Sequence, residues 1–300
     1  MHAAVIVVAL GVPALVVVLI VLLVTARGGR PHGHDATVVA ARRHETRTSA
    51  AAAASSVCAA LAVANPTVVS WGPSGLLVGL APLVAALMFG VARTVGESRW
   101  PRPAGEVRTA LLVRRSLRDQ GGWRLPVLLG TAAVLGVALV VFGITAADDG
   151  RSVERTAARV GDAGLEAHSA GTYPGWVLGG PALVVLLLAV LAALIALRAI
   201  TRRPPIGLLS VAQDDAIRRT SAARLLAGAQ AWTGLAATGY LALAAGALLS
   251  AGWAEAGVTC IAVAVVVFVG SLVIAAAALT PRRGHAEVTA PQAVPSGPAA

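Results

Sequence analysis

Seven stretches of this chain are each about 20 residues long, apolar, and free of charge in their interiors: residues 3–25, 50–71, 75–92, 125–147, 176–200, 226–251 and 256–280. A hydrocarbon layer of about 30 Å is crossed by roughly 20 helical residues. Lipid offers no hydrogen bonds to backbone groups, so runs of this length and pattern must be helices. The fold class that follows is all-α, a polytopic transmembrane helix bundle of about seven spans. Composition agrees: 57% of residues are hydrophobic and 13% charged, where a soluble domain would be about a quarter charged.

The first run is read as an uncleaved span rather than a signal peptide. Only Met1 and His2 precede it, while Arg27 and Arg30 follow it, the reverse of a signal peptide's charge order. Residues 1–280 are then one transmembrane domain. Residues 281–300, rich in Pro, Ala and Gly, are expected to form a disordered cytoplasmic tail.

Arginine distribution gives direction. Every basic residue other than histidine is arginine. The segments after spans one, three and five, with the tail, hold twenty-one of the 24; the remaining three are Arg151, Arg155 and Arg159. Cytoplasmic loops carry the excess of positive charge, so the N-terminus is expected outside and the C-terminus in the cytoplasm of a plasma (inner) membrane. The alternation holds only with all seven spans in place. The net charge of +10 thus reads as attraction to anionic lipid. Nucleic acid is excluded as a partner, because aromatic residues are 4% of the chain and no reader motif is present.

Between the spans, residues 105–120 place Val107, Leu111 and Leu117 at near-helical spacing among arginines, which predicts an amphipathic interfacial helix able to dock a partner. Residues 151–168 are expected to form a short surface helix. A short repeat, Arg47–Ala51 and Arg219–Ala223, introduces two span hairpins, and a Pro/Arg signal follows each.

Candidate chemistry is sparse. His32, His34, Asp35 and His44 are ligand types in one loop, but no second cluster completes a metal site, and no metal is assigned. Adjacent Asp214 and Asp215 diverge by about 100° on a helix; ion pairing with Arg218 and Arg219, each at i+4, is the preferred reading. Cys58 and Cys260 fall in apolar runs and carry no assigned role. The one intramembrane feature with functional character is Asn65-Pro66 within the second span. Proline frees a backbone carbonyl there; a kink whose carbonyl a neighbouring side chain satisfies is the preferred reading, and a substrate site of the kind that broken helices form in transporters is the other. No nucleotide loop, catalytic motif or cofactor site is present, so neither enzyme activity nor a cofactor is expected.

The arginine-only basic loops and the segment Asp214–Ser221 leading into a hairpin resemble the uncharacterised multi-pass membrane proteins common in actinobacteria, whose GC-rich genomes favour Arg over Lys. The resemblance implies the general plan and no activity. The expected function is a non-enzymatic accessory or permease-like component of a membrane complex, partnered by lipid and by another membrane protein or a second copy. The alternative is a stand-alone small-solute transporter using Asn65-Pro66. Reporter fusions at Gly150 and Ala300 are expected to report opposite sides of the membrane; the same side for both would break the seven-span reading.

Overall fold

The computed structural model describes residues 36–65, 74–100, 116–157, 166–170, 172–204 and 211–279. Nearly all of these are helical. The elements are α1 (Ala36–Ala64), α2 (Ser74–Ser98), the short α3 (Leu117–Gly121), α4 (Arg124–Thr145), strands β1 (Val153–Ala157) and β2 (Glu166–Ala170), α5 (Trp176–Arg202), α6 (Val211–Ser250) and α7 (Ala254–Leu279). Six helices are long and apolar enough to cross a membrane; they are the second to seventh expected spans. The first expected span and the tail lie outside the described residues.

Two helices differ from expectation in length, and both differences have a physical cause. α1 starts fourteen residues before the expected residue 50 and ends at Ala64, with residues 66–73 outside the described residues. It stops there because a proline disfavours the helical conformation of the residue before it, here Asn65. α6 starts fifteen residues before the expected 226 and runs for 40 residues. At 1.5 Å per residue that is about 60 Å, twice the hydrocarbon thickness. α2 likewise continues beyond residue 92, through Arg93 and Glu97, to Ser98. Hydropathy cannot register these extensions because they are polar.

The segment after α4, expected as a surface helix, instead holds an antiparallel ribbon. β1 pairs with β2 in the register Val153↔Ala170 through Ala157↔Glu166. Asp149 sets up its first strand by accepting from the amides of Arg151 (2.8 Å) and Ser152 (2.9 Å). The Arg151 amide, then that of Ser152, hold the Asp149 carboxyl below its usual range. This turn chemistry, typical of aspartate, competes with helix initiation. After the ribbon, Tyr173 is buried with its hydroxyl 2.8 Å from that of Thr145, and its ring stands edge-on to Phe142. Of the expected interfacial helix at 105–120, residues 105–115 lie outside the described residues. Its end forms α3, opened by a capping box between Ser116 and Asp119.

The bundle is packed by small residues. α2 is central, in contact with α1, α5 and α6, and α6 also packs on α4, α5 and α7. The cores are rich in Ala and Leu: Ala85, Ala86, Ala193, Leu197 and Leu225 in one cluster, and Leu83, Leu135, Leu139 and Ala237 in another. Small side chains let membrane helices approach closely, where dispersion rather than the hydrophobic effect holds them. Gly228 on α6 faces the ring of Phe89 on α2, and a side chain there would collide with it. Gly228→Leu is therefore expected to cost about 1–3 kcal/mol by overpacking, read as a lowered thermal unfolding midpoint in detergent.

Candidate functional site: a buried ionic cluster

Where α1 and α6 begin and α2 and α5 end, charged residues leave the surface and enter the bundle. Arg93 and Arg218 are fully buried, and Glu45, Glu97, Arg203, Asp214, Ser49 and Ser221 nearly so. An unpaired buried charge is prohibitively costly, so the partners are what make this arrangement possible.

Glu45 on α1 is the hub. Its Oε1 accepts from both terminal nitrogens of Arg93 at 3.2 Å, and its Oε2 accepts from the Ser221 hydroxyl at 2.8 Å. Arg93 also donates to Ser49 Oγ (2.8 Å), to Glu97 Oε1 one turn along α2 (3.3 Å), and to the Ser221 carbonyl (3.4 Å). Arg203, just past α5, donates to Ser221 Oγ at 3.4 Å and stands 3.8 Å from Glu97. Its guanidinium lies 4.0 Å over the Trp100 ring, a cation–π contact. Burial pulls Arg203 below the usual guanidinium range, and Glu97 opposes that shift.

The cluster also closes a helix end. Arg218 binds Asp214 through Nε and Nη2, both at 2.8 Å, as expected for the i+4 pair. It further donates to the carbonyls of Ile200 (3.1 Å) and Thr201 (3.4 Å) in the last turn of α5. Those carbonyls have no partner within their own helix, and a cation is favoured at a helix C-terminus. Three buried carboxylates thus face three buried guanidiniums. Arg224, 31% exposed, stands 3.8 Å from Glu45 at the rim.

His44 belongs to this region as a structural residue. Its Nε2 donates to the Gly96 carbonyl at 3.0 Å, since a carbonyl can only accept, and its ring stands edge-on to Trp100. The other metal candidates, His32, His34 and Asp35, lie outside the described residues. Among the described residues no group of three ligand-type side chains could hold a metal.

Deeper in the bundle the polar contacts are neutral. Gln230 on α6 donates to Thr131 on α4 (2.9 Å) and to Ser271 on α7 (3.0 Å). Trp232 donates to Ser56 on α1 at 3.2 Å. These tie neighbouring helices together. Asn65, expected within a broken span, follows the last residue of α1 and is exposed; Pro66 lies outside the described residues. At the ribbon end an open depression of about 310 Å³ is lined by Thr172, Ala242, Leu243, Gly246, Ala247 and Ser250. It contains hydroxyls but no titratable side chain.

Sequence reasoning missed the cluster because its arginines were assigned to loops. A signal existed: Glu45 and Ser49 are four apart, Arg93 and Glu97 four apart, and Asp214, Arg218 and Ser221 fall at i, i+4 and i+7. Each set marks one helical face.

No family model matches the chain, and neither a curated protein nor a solved structure matches it.

Removing the hub carboxylate leaves Arg93 buried without its main partner. Glu45→Ala is expected to cost about 3–5 kcal/mol. Ser221→Ala is expected to cost about 1 kcal/mol, and Arg224→Ala, at the exposed rim, less than about 1 kcal/mol. The order of unfolding midpoints in detergent checks this ranking, and an Arg224 variant as damaged as the Glu45 variant would contradict it.

Proposed function

We propose that this integral membrane protein is a non-enzymatic accessory or permease-like component of a plasma-membrane complex, with its basic end in the cytoplasm. The observation that carries the reading is the use made of the polar groups at that end. Glu45, Arg93, Asp214, Arg218 and Ser221 bond chiefly to one another and to helix ends. A catalytic or transport site needs polar groups converging on space for a substrate. Here they converge on each other, which suits a scaffold that holds four helices in fixed relation.

The outer surface supports the same reading. α4, α5 and α7 expose large apolar side chains such as Val137, Leu187 and Val266, suited to lipid or to the helices of another membrane protein. A stand-alone transporter built on Asn65-Pro66 would need Asn65 inside the bundle, and it is exposed at a helix end. No cofactor is required by this role, and the partner is another membrane protein or a second copy of the chain.

The test is affinity purification after crosslinking in native membranes, with and without residues 105–115. The intact chain is expected to bring down one defined membrane protein in fixed proportion, and the shortened chain to lose it. Recovery of nothing in either case, together with solute uptake by the purified chain alone in liposomes, would overturn the proposal in favour of a self-sufficient transporter.

A further inference from the structure

One transmembrane helix is mismatched to its surroundings. In a bilayer the least apolar helices belong inside and the most apolar ones at the lipid. α7, among the most apolar of the six, is 17% buried, whereas the much less apolar α6 is 56% buried. α1 breaks the rule: it is the least apolar span, yet only 28% of it is buried.

The side chains on its outer face make the mismatch sharper. α4, α5 and α7 each expose at least five large apolar residues, whereas Leu61 is the single one on α1 among the described residues. The rest of that face is small: Ala51, Ala54, Cys58 and Ala62 are all exposed. Ala54, Cys58 and Ala62 are four residues apart, the spacing at which two membrane helices approach closely. The face lies opposite Ser49 and Ser56, which bond into the bundle, so none of the described helices covers it.

We infer that the outer face of α1 is covered by residues 3–25 of the same chain. Four considerations select this occupant. Residues 1–35 precede α1 and contain an apolar run of 23 residues, which as a helix would be about 35 Å long and long enough to cross the bilayer. The link to α1, residues 26–35, spans at most about 35 Å when fully extended, which ties the end of this run to the basic end where α1 begins. Consecutive elements are usually neighbours in space, as α1 with α2 and α6 with α7 are here. Finally, the run is dominated by Val, Leu and Ile, large side chains that fit between the small residues at 54, 58 and 62. The resulting antiparallel pair would shield the least apolar span from lipid.

Cys58 supplies a probe already on that face. In the full-length chain, Cys260→Ser leaves Cys58 as the native thiol, and single cysteines are introduced at residues 10 to 17, the depth opposite Cys58. Oxidation in native membranes is expected to link Cys58 to two or three of these positions, spaced by three or four residues, within one chain. Adding Ala54→Leu, which fills the contact, is expected to remove most of that link; a thermal midpoint close to the parent's confirms that this variant folds. Links only between two chains would assign the face to a second copy and overturn the inference. So would links without helical period, or none at any position.

Discussion

A guanidinium with no exposed surface, Arg93, imposes conditions on every helix around it. It sits on α2, whose residues from Gly75 to Ala92 are apolar, and it cannot be buried unless carboxylates and carbonyls reach it. Glu45 must come from α1, Glu97 from the next turn of α2, and the Ser221 carbonyl from α6. Ser221 in turn holds Glu45 and Arg203, bringing in the end of α5. Each contact has a limited range of distance and angle, so the helices cannot slide past one another by a turn without losing several bonds together. Apolar packing in lipid gives little such discrimination, because a slipped Ala/Leu interface is nearly as good as the original. Polar groups within a bundle can therefore fix register even where they add little net stability.

The same cluster explains the unequal helix lengths. α1 and α6 continue beyond the apolar core at the basic end because their polar turns have partners there. α6 reaches about 60 Å with Asp214 and Arg218 holding its first turns against the end of α5. At the opposite end the described residues form no buried ionic cluster, and the chain turns quickly: α6 and α7 are joined through Gly252, whose φ of 84° suits glycine. α4 and α5 are joined there by the ribbon, fastened by the Tyr173–Thr145 bond.

Much of the architecture was legible in the residues. The apolar runs located six helices of the bundle, and the i+4 spacing located the Asp214–Arg218 pair. What hydropathy could not convey was that a helix persists into polar sequence when tertiary partners await it. Arg93, Arg203 and Arg218 contribute to the basic excess after spans three and five, and that count is unchanged whether an arginine faces water or a carboxylate. At Asn65-Pro66 local chemistry predicted a break, and α1 ends at Ala64, directly before that pair. The ribbon at 153–170 was missed because its mixed charge suggested an amphipathic helix, while the decisive signal was the Asp149 turn ahead of it.

The recurring segment Arg47–Ala51 and Arg219–Ala223 takes on a specific physical sense in this setting. Its two serines, Ser49 and Ser221, both lie in the cluster, and their hydroxyls play the same part. Each hydroxyl donates to Glu45 and accepts from an arginine, Ser49 from Arg93 and Ser221 from Arg203, and Ser221 also offers its carbonyl to Arg93. The two hairpins they introduce are packed differently: α2 is enclosed by α1, α5 and α6, and α7 rests mainly on α6. Similar sequence therefore does not impose similar surroundings here. A hydroxyl can donate and accept at once, and each of these does both, bridging the Glu45 carboxylate and a guanidinium. The same carboxylate serves both: Glu45 stands four residues before Ser49 on its own helix, whereas Ser221, with Ile217 four residues before it, reaches Glu45 across the bundle. Both sides of the cluster thus bring a hydroxyl to Glu45; what differs is that α1 adds the carboxylate itself and α6 the Ser221 carbonyl, and the two meet around one arginine.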